Sequence, residues 1–529
     1  MLDTLSLRQK LGQLFMFGFD GYQVPDHMEA FIRDYGLGNI ILFRRNVDSN
    51  EQVKALTLSL QQLASQYHEF PLSIAIDQEG GMVARIDRHV TVMPGQMTLG
   101  ATNEVTNAYE AGMISGMELA QLGITVNFAP VLDVNNNPLN PVIGIRSFGE
   151  EPDMVARFGS AMIRGYQEMG IAACAKHFPG HGDTTADSHE ELPSVSHSIE
   201  RIHQLELVPF KRAIKEKVEM IMTAHVQFPA LEPSGMPATL SAKVLTGLLR
   251  EELGYDGVIV TDCLEMNAIA QGVGVAKGAV EAFLAGADLI LVSHQHERQL
   301  AAFHALEQAV LDGIISEERI NQSVARIIAM KERQQMRVLA AKVKFHDISA
   351  EQSQLTCEQM MEQAVTLVQD ERHLLPLSKD VSTLVIWTEV RRSTQVDEVI
   401  EQELTLGKQL QGLGIAVTEV TIGTEPTQDE LQQLEVMLET EQFKQIIVCL
   451  YNAVQSTGQQ AMLQLLKGQG HRADVIYVSL RNPYDYSLLS QDDTYICAYE
   501  NRPAMLRAVG LALTGAIPFK GKLPVTLAN

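Results

Sequence analysis

The chain has 529 residues, of which 46% are hydrophobic and 20% charged. That length exceeds what one hydrophobic core organises, so two or more domains are expected, and the composition is that of a folded chain rather than a disordered one. A formal net charge of −24 repels a phosphate backbone and argues against nucleic acid and anionic membranes as partners. The longest apolar runs are strand-sized, so no membrane span is expected. The start, Met1-Leu2-Asp3-Thr4-Leu5-Ser6, has no basic segment leading into an apolar one, so it does not read as a secretory signal. A precursor already trimmed of its leader would read the same way. The five cysteines, Cys174, Cys263, Cys357, Cys449 and Cys497, are odd in number and unpaired in spacing. Cys449 and Cys497 lie in apolar runs as core thiols, which fits a reducing compartment and a cytoplasmic protein.

In chain order, short apolar runs alternate with helix-length amphipathic segments. The runs are Leu14–Phe19, Asn39–Phe43, Ser73–Asp77, Val126–Val134, Ala172–Phe178, Met220–Val226, Gly257–Asp262 and Ala287–Ser293. Most are rich in Ile, Val and Phe, as expected for parallel strands buried on both faces. Between the last runs a helix is expected to begin near Ser241, with Leu245, Leu248 and Leu249 on one face and Gly254 as its stop. This pattern predicts a (β/α)8 TIM-type barrel. One miscounted run would instead favour an open doubly wound sheet.

After Ile327–Met330 the pattern breaks, and a second series follows: Thr383–Trp387, Gln445–Leu450, Asp474–Leu480 and Thr494–Tyr499. The expectation is a barrel over residues 1–335, a linker or connecting helix over 336–360, and a smaller α/β sandwich-like domain over 361–529. Arg481-Asn482-Pro483-Tyr484 reads as a turn after a strand, with a ligand contact as the alternative.

Polar residues gather at the ends of the first series. Asp77, Lys176 with His177, His225, Asp262 and His294 each close a run. In a barrel the C-terminal strand ends ring one mouth, so these residues would converge there. Polar ends that merely mark where strands surface are the alternative.

Lys176-His177-Phe178-Pro179-Gly180-His181-Gly182-Asp183-Thr184-Thr185-Ala186-Asp187-Ser188-His189 is the most informative segment. Its glycines and proline forbid a helix, so an irregular loop should carry its histidines, aspartates and lysine above the barrel. A metal site would use the same residue types. However, neither His-Glu-x-x-His nor Cys-x-x-Cys spacing is present, so no metal is expected. In Gly257-Val258-Ile259-Val260-Thr261-Asp262-Cys263, Asp262 is either a catalytic carboxylate or a supporting group. Ile76-Asp77-Gln78-Glu79-Gly80-Gly81-Met82-Val83-Ala84-Arg85 brings Asp77 and Arg85 toward the mouth, as a sugar grip or as a structural ion pair. A loop after the fourth run, Asn140 to Gly149, presents Arg146.

On these motifs the chain resembles glycoside hydrolase family 3. It is similar in particular to the β-N-acetylglucosaminidase branch that acts on peptidoglycan fragments in cell-wall recycling. The likeness rests on Lys176 to His189, covers residues 5 to 335 best, and extends more weakly to Lys520-Gly521-Lys522-Leu523-Pro524-Val525, which looks like that family's closing strand. The resemblance implies Asp262 as nucleophile, His189 as general acid/base and Asp187 as its partner. It implies Asp77, Arg85, Arg146, Lys176 and His177 as sugar-binding residues, with no cofactor. Two positions depart from the family pattern: Met82 stands where Arg is usual, and Cys263 where Asp is frequent. Met82 would weaken electrostatic support near Asp77. Cys263 is expected to point away from the nucleophile by strand alternation.

The implied chemistry is retaining hydrolysis of a terminal β-linked N-acetylglucosamine through a glycosyl ester on Asp262. A histidine, with an ordinary pKa of about 6.5, transfers protons in both directions near neutrality. Three rivals stand beside this reading: phosphorolysis, a catalytically silent sugar-binding protein, and a metal hydrolase. His181 and Asp183 have no catalytic role here and are expected to shape the loop. The partner is a small carbohydrate such as a muropeptide, and nothing in the sequence fixes an oligomeric state.

Overall fold

The computed structural model describes residues 5–344, 348–391, 404–468 and 473–527. By their internal contacts these fall into two units. One comprises Met1–Glu79, Ala84–Met93 and Ala108–Ala350; the other comprises Gly80–Val83, Pro94–Asn107 and Glu351–Asn529. The second unit therefore recruits two short segments of the N-terminal half.

The first unit is an eight-stranded parallel barrel. Its strands are β1 (Phe15–Phe17), β2 (Asn39–Leu42), β3 (Ser73–Ile76), β4 (Val126–Asn127), β5 (Ala172–Phe178), β6 (Met220–Thr223), β7 (Val258–Val260) and β8 (Ile290–Val292). They follow the order β8-β1-β2-β3-β4-β5-β6-β7. Every strand residue is buried. Helices cover the outer face and side chains fill the inner one, which explains why these stretches read as unbroken Ile, Val and Phe rather than as alternating patterns. All eight predicted runs contain a strand. The fourth is the least regular: pairing is limited to Val126 and Asn127 with their neighbours, and Val131 bridges Lys176 separately. The helix expected near Ser241 spans Lys243–Glu252 in widened turns. Leu245 and Leu249 are fully buried and Leu248 nearly so, and Gly254 follows at φ +67, the left-handed conformation that ends a helix.

The seam between β7 and β8 has one isolated bridge, Val260–Leu289, with backbone bonds from Leu289 N–H to Ile259 and from Thr261 N–H to Leu289, both at 3.0 Å. A buried carboxylate reinforces it. Asp288, just before β8, accepts from the Ile259 backbone N–H at 3.0 Å and from Ser323 Oγ at 2.6 Å. It also pairs with Arg250, and with Arg326 at 3.4 Å. Removing one side of a buried ion pair strands the other and typically costs about 3–5 kcal/mol. Asp288→Ala should therefore lower the unfolding free energy by about 3 kcal/mol in urea titration. A change below about 1 kcal/mol would show that the seam does not depend on this carboxylate.

The second unit is built on a six-stranded sheet of β9 (Thr366–Gln369), β10 (Thr383–Glu389), β11 (Val417–Gly423), β12 (Gln445–Leu450), β13 (Asp474–Ser479) and β14 (Thr494–Cys497). The order is β9-β14-β13-β12-β10-β11, parallel except for β9 at one edge. The sequence pattern finds four of these strands. It misses β11, whose alternating Val417-Thr418-Glu419-Val420-Thr421 belongs to a half-exposed edge, and it misses β9. The region expected as a linker is largely helical, with one helix over Glu317–Lys344 and another over Ala350–Ala364. Lys520–Val525 forms no strand. Pro524 lacks the N–H a ladder needs, and the segment is held instead by single bonds from the N–H of Gly521 to Val365 and of Lys522 to Ala101. Arg481-Asn482-Pro483-Tyr484 bends into a short helical turn over Pro483–Leu488.

Candidate active site

At the C-terminal end of the barrel strands, four charged side chains form a buried cluster. Lys176, in β5, donates to Asp77 Oδ1 at 2.8 Å and to Glu79 Oε1 at 2.7 Å. Arg146 grips the same Glu79 in a fork, Nε to Oε2 at 2.9 Å and Nη2 to Oε1 at 2.8 Å, and spends Nη1 on the Val142 carbonyl at 3.1 Å. Burial alone would raise the Glu79 carboxyl, but Arg146 and Lys176 outweigh it and hold Glu79 well below the carboxylate range. Burial would likewise lower the Lys176 ammonium, yet Asp77 and Glu79 raise it. All four groups are thus charged, two of each sign. Asp77 is the most exposed of them, with 16% of its side chain open, so it can meet a ligand. Arg85 is buried, and its carbonyl accepts from Arg44.

A second carboxylate, Asp133, anchors the other half of β5. Its Oδ2 meets His177 Nδ1 at 2.7 Å, and its Oδ1 accepts the backbone N–H groups of His177 and His181 at 3.2 and 2.6 Å. The segment includes cis bonds at Lys176-His177 and Phe178-Pro179. With Nδ1 turned to Asp133, the Nε2 edge of His177 remains for a substrate.

The loop after β5 is fixed at several points. A Cβ at Gly182 would lie 1.8 Å from the Val134 carbonyl, so no other residue fits there without moving the backbone. Asn140 Nδ2 donates to the carbonyls of His181 and Gly182. His181 is enclosed between Thr184 Oγ1 at 2.9 Å and Ser188 Oγ at 3.0 Å. Asp183 collects Asn136, His197 and Arg201. Both residues therefore do the loop-shaping expected of them. Beyond this clamp the chain turns at Asp187, whose Oδ1 accepts from the His189 backbone N–H at 2.9 Å and meets His189 Nδ1 at 2.7 Å. The His189 side chain is 25% exposed, and its Nε2 is the edge left to act outward.

Asp262 lies two residues past β7. Burial would raise its carboxyl, but His225, His177 and His189 all lie within electrostatic reach and, with the Cys263 N–H at 2.7 Å, hold it low. The barrel thus brings together the sequence-predicted residues Asp262, His189, Asp187, His177, Lys176 and Asp77, and sets Arg146 behind them against Glu79. Two partners escaped the sequence reading, and a third was read only by its position. Glu79 lies two residues after Asp77, and strand alternation alone would have put it on the same face. Asp133 was hidden in an apolar run. His225 was visible only as a strand end; it is fully buried between Thr239 Oγ1 at 2.8 Å and the Cys263 carbonyl at 3.0 Å.

Cys263 lies beyond the regular strand. The strand stops at Val260, so the pleat does not govern it. Its sulfur accepts from Ser293 Oγ at 3.2 Å and lies 3.9 Å from Glu265 Oε2. Met82 is buried; the positive charge beside Asp77 comes from Lys176.

The description "Glycosyl hydrolase family 3 N terminal domain" matches residues 6–330, and the chain belongs to this family of glycoside hydrolases. It is 39% identical over 365 residues to "Beta-hexosaminidase A" of Pseudoalteromonas piscicida, a match covering 62% of this chain and 61% of that protein. A "Beta-hexosaminidase" of Alkalilimnicola ehrlichii is 36% identical over 293 residues, 54% of this chain and 82% of its own. Among solved structures, a glycoside hydrolase family 3 beta-N-acetylglucosaminidase from Paenibacillus sp. str. FPU-7 superposes with a TM-score of 0.94 at 48% identity, covering 99% of both chains.

Two outcomes test the electrostatics. Glu79→Gln leaves Lys176 and Arg146 with one carboxylate between them, so calorimetry should show a loss of about 3 kcal/mol, and KM should rise. Unchanged stability would mean that the cations are satisfied elsewhere. The second concerns His181, which burial holds down at about 4. Between there and the ordinary 6.5 the unfolded chain binds a proton that the folded chain refuses. Stability is therefore complete above about pH 6.5 and falls as pH drops toward 4, by at most about 1.4 kcal/mol per pH unit. Unfolding midpoints of His181→Gln should fall less between pH 7 and pH 5 than those of the parent. Parallel curves would contradict this account.

Proposed function

We propose that the chain is a retaining β-N-acetylglucosaminidase that removes terminal non-reducing β-linked N-acetylglucosamine, with peptidoglycan fragments as its substrate class and the cytoplasm as its place. One observation carries the reading: a histidine oriented through Nδ1 by a neighbouring carboxylate lies within electrostatic reach of a strand-tip aspartate whose carboxyl is held low. Asp262 attacks the anomeric carbon, and the sugar–oxygen bond to the aglycone breaks. His189, in its protonated form, gives that oxygen a proton. Water then enters, His189 takes its proton back, and the ester to Asp262 is released as free sugar. Asp187 holds the imidazole in the tautomer that leaves Nε2 free for this work. Asp77, Lys176 and His177 supply hydroxyl contacts, with Arg85 and Arg146 behind them. Beta-hexosaminidases among the relatives support the sugar specificity, and five buried thiols without a disulfide support a reducing compartment. Among the described residues no helix is long and apolar enough to cross a membrane.

Phosphorolysis is the second reading, because an imidazole does not repel a phosphate anion as a carboxylate would. Product analysis separates the two. Free N-acetylglucosamine should form at the same rate with and without phosphate; N-acetylglucosamine 1-phosphate as the main product would establish the rival. On an aryl N-acetylglucosaminide, His189→Ala should lose about 10²–10⁴-fold in turnover and Asp262→Ala at least about 10³-fold. Normal turnover by Asp262→Ala would refute the assignment.

A further inference from the structure

Among the described residues, Cys263, Glu265 and His294 present three ligand atoms of different kinds, a sulfur, a carboxylate oxygen and an imidazole nitrogen, all within 4.8 Å of one another. The chemistry proposed above uses none of them. We propose that they form an inhibitory site for a thiophilic divalent cation of the zinc class, one residue away from Asp262.

The geometry is close to what such an ion needs. Around a tetrahedral zinc with Zn–S of about 2.3 Å and Zn–O of about 2.0–2.2 Å, sulfur and oxygen stand roughly 3.6 Å apart. Cys263 Sγ and Glu265 Oε2 are 3.9 Å apart, so a shift of a few tenths of an ångström brings both into range. The framework is already ordered. Glu265 is held by the backbone N–H groups of His294 at 2.6 Å and Gln295 at 3.0 Å, each of which leaves carboxylate lone pairs for a metal. Those two bonds tie the segment after β7 to the segment after β8, so Glu265 and His294 are positioned together. The His294 ring packs against Phe43 with centroids 5.2 Å apart, which restricts its rotation. Ser293 Oγ donates to the Cys263 sulfur, but burial and the neighbouring Glu265 push the thiol up to about 12, so the metal-free protein keeps the thiol protonated and the ion itself must displace that proton. When the ion binds, the thiol proton leaves to water and a sulfur–metal bond forms; no electron is transferred.

Charge favours a dication as well. Arg45 and Arg298 both lie within electrostatic reach of His294, and Asp20 pairs with Arg45 at 2.6 Å. Glu265 and Asp262 supply the negative charge on the other side of the balance. The ligand types select within the metals: a thiolate with an imidazole suits zinc, whereas magnesium and calcium prefer oxygen alone. Three protein ligands leave a fourth position open, and Asp262, the residue before Cys263, lies within electrostatic reach of that sulfur. A bound ion would draw that carboxylate away from the anomeric carbon. The inhibitory part of this proposal rests on Asp262 being the nucleophile; the binding part does not.

The test uses the full chain purified in the presence of chelator. Cobalt(II) is added first, and the sulfur-to-cobalt charge-transfer absorption is followed. It should rise to one equivalent in the parent, vanish in Cys263→Ala and weaken at least tenfold in His294→Ala. Zinc should displace the cobalt band, lower aryl N-acetylglucosaminide turnover at least tenfold near one equivalent, and be reversed by chelator. Each variant's response is read against its own zinc-free rate. Absence of the thiolate band in the parent overturns the site whatever the enzyme hydrolyses. Binding without loss of turnover, or equal zinc inhibition of parent and Cys263→Ala, overturns the inhibitory role. If no aryl glycoside is cleaved, the failure belongs to the proposed function, and the cobalt band still decides the site.

Discussion

The barrel mouth depends on one constraint: Glu79 must neutralise two buried cations at once. Lys176 is nearly enclosed, and an ammonium there is stable only with full compensation. Asp77 and Glu79 provide it, and Arg146 balances the second negative charge. Lys176 and Glu79 are therefore each held by two of the others, which fixes these side chains more tightly than a single ion pair would. Because Asp77 belongs to the segment after β3, Lys176 to β5 and Arg146 to the loop after β4, the cluster also ties three successive strand ends into one wall. Asp133 repeats the device one step further along, restraining His177 through ring and backbone together.

Much of this architecture was legible because buried parallel strands demand the same thing everywhere, an uninterrupted apolar run. The eight runs of the barrel satisfy that demand, and each contains a strand. Legibility fails where the demand is relaxed. Strand β11 lies at a sheet edge and keeps Thr418, Glu419 and Thr421 on it, so its composition resembles that of a turn. The Lys520–Val525 segment has a strand-like flavour but carries a proline where a ladder would need a donor.

Within the site, the residues proposed for the chemistry were easier to read than those that hold them. Lys176, His177, Asp187, His189 and Asp262 stand at strand ends or on a loop whose glycines and proline announce it. Asp133 is a single carboxylate in Val126–Val134, and nothing in one dimension shows that two backbone N–H groups and an imidazole converge on it. Cys263 shows the same limit: the regular strand ends at Val260, and the partners of its sulfur, Ser293 and Glu265, come from positions that periodicity does not bring together.

The same electrostatics explain why a histidine is suited to face Asp262. Asp77, Glu79, Asp133, Asp187 and Asp262 all serve one mouth, and the positive side chains among their partners are mostly committed pairwise. A further carboxylate opposite Asp262 would meet an existing excess of negative charge, and one of the two would be driven to take up a proton at neutral pH. An imidazole avoids that conflict. Protonated, it attracts Asp262 and keeps it ionised; neutral, it leaves the balance as it was. Asp187 then serves to orient the ring, and its own charge is answered by the group it orients. In the proposed mechanism His189 can cycle between its two forms without disturbing the buried pairs behind it, because Lys176 and Arg146 are paired with Asp77 and Glu79.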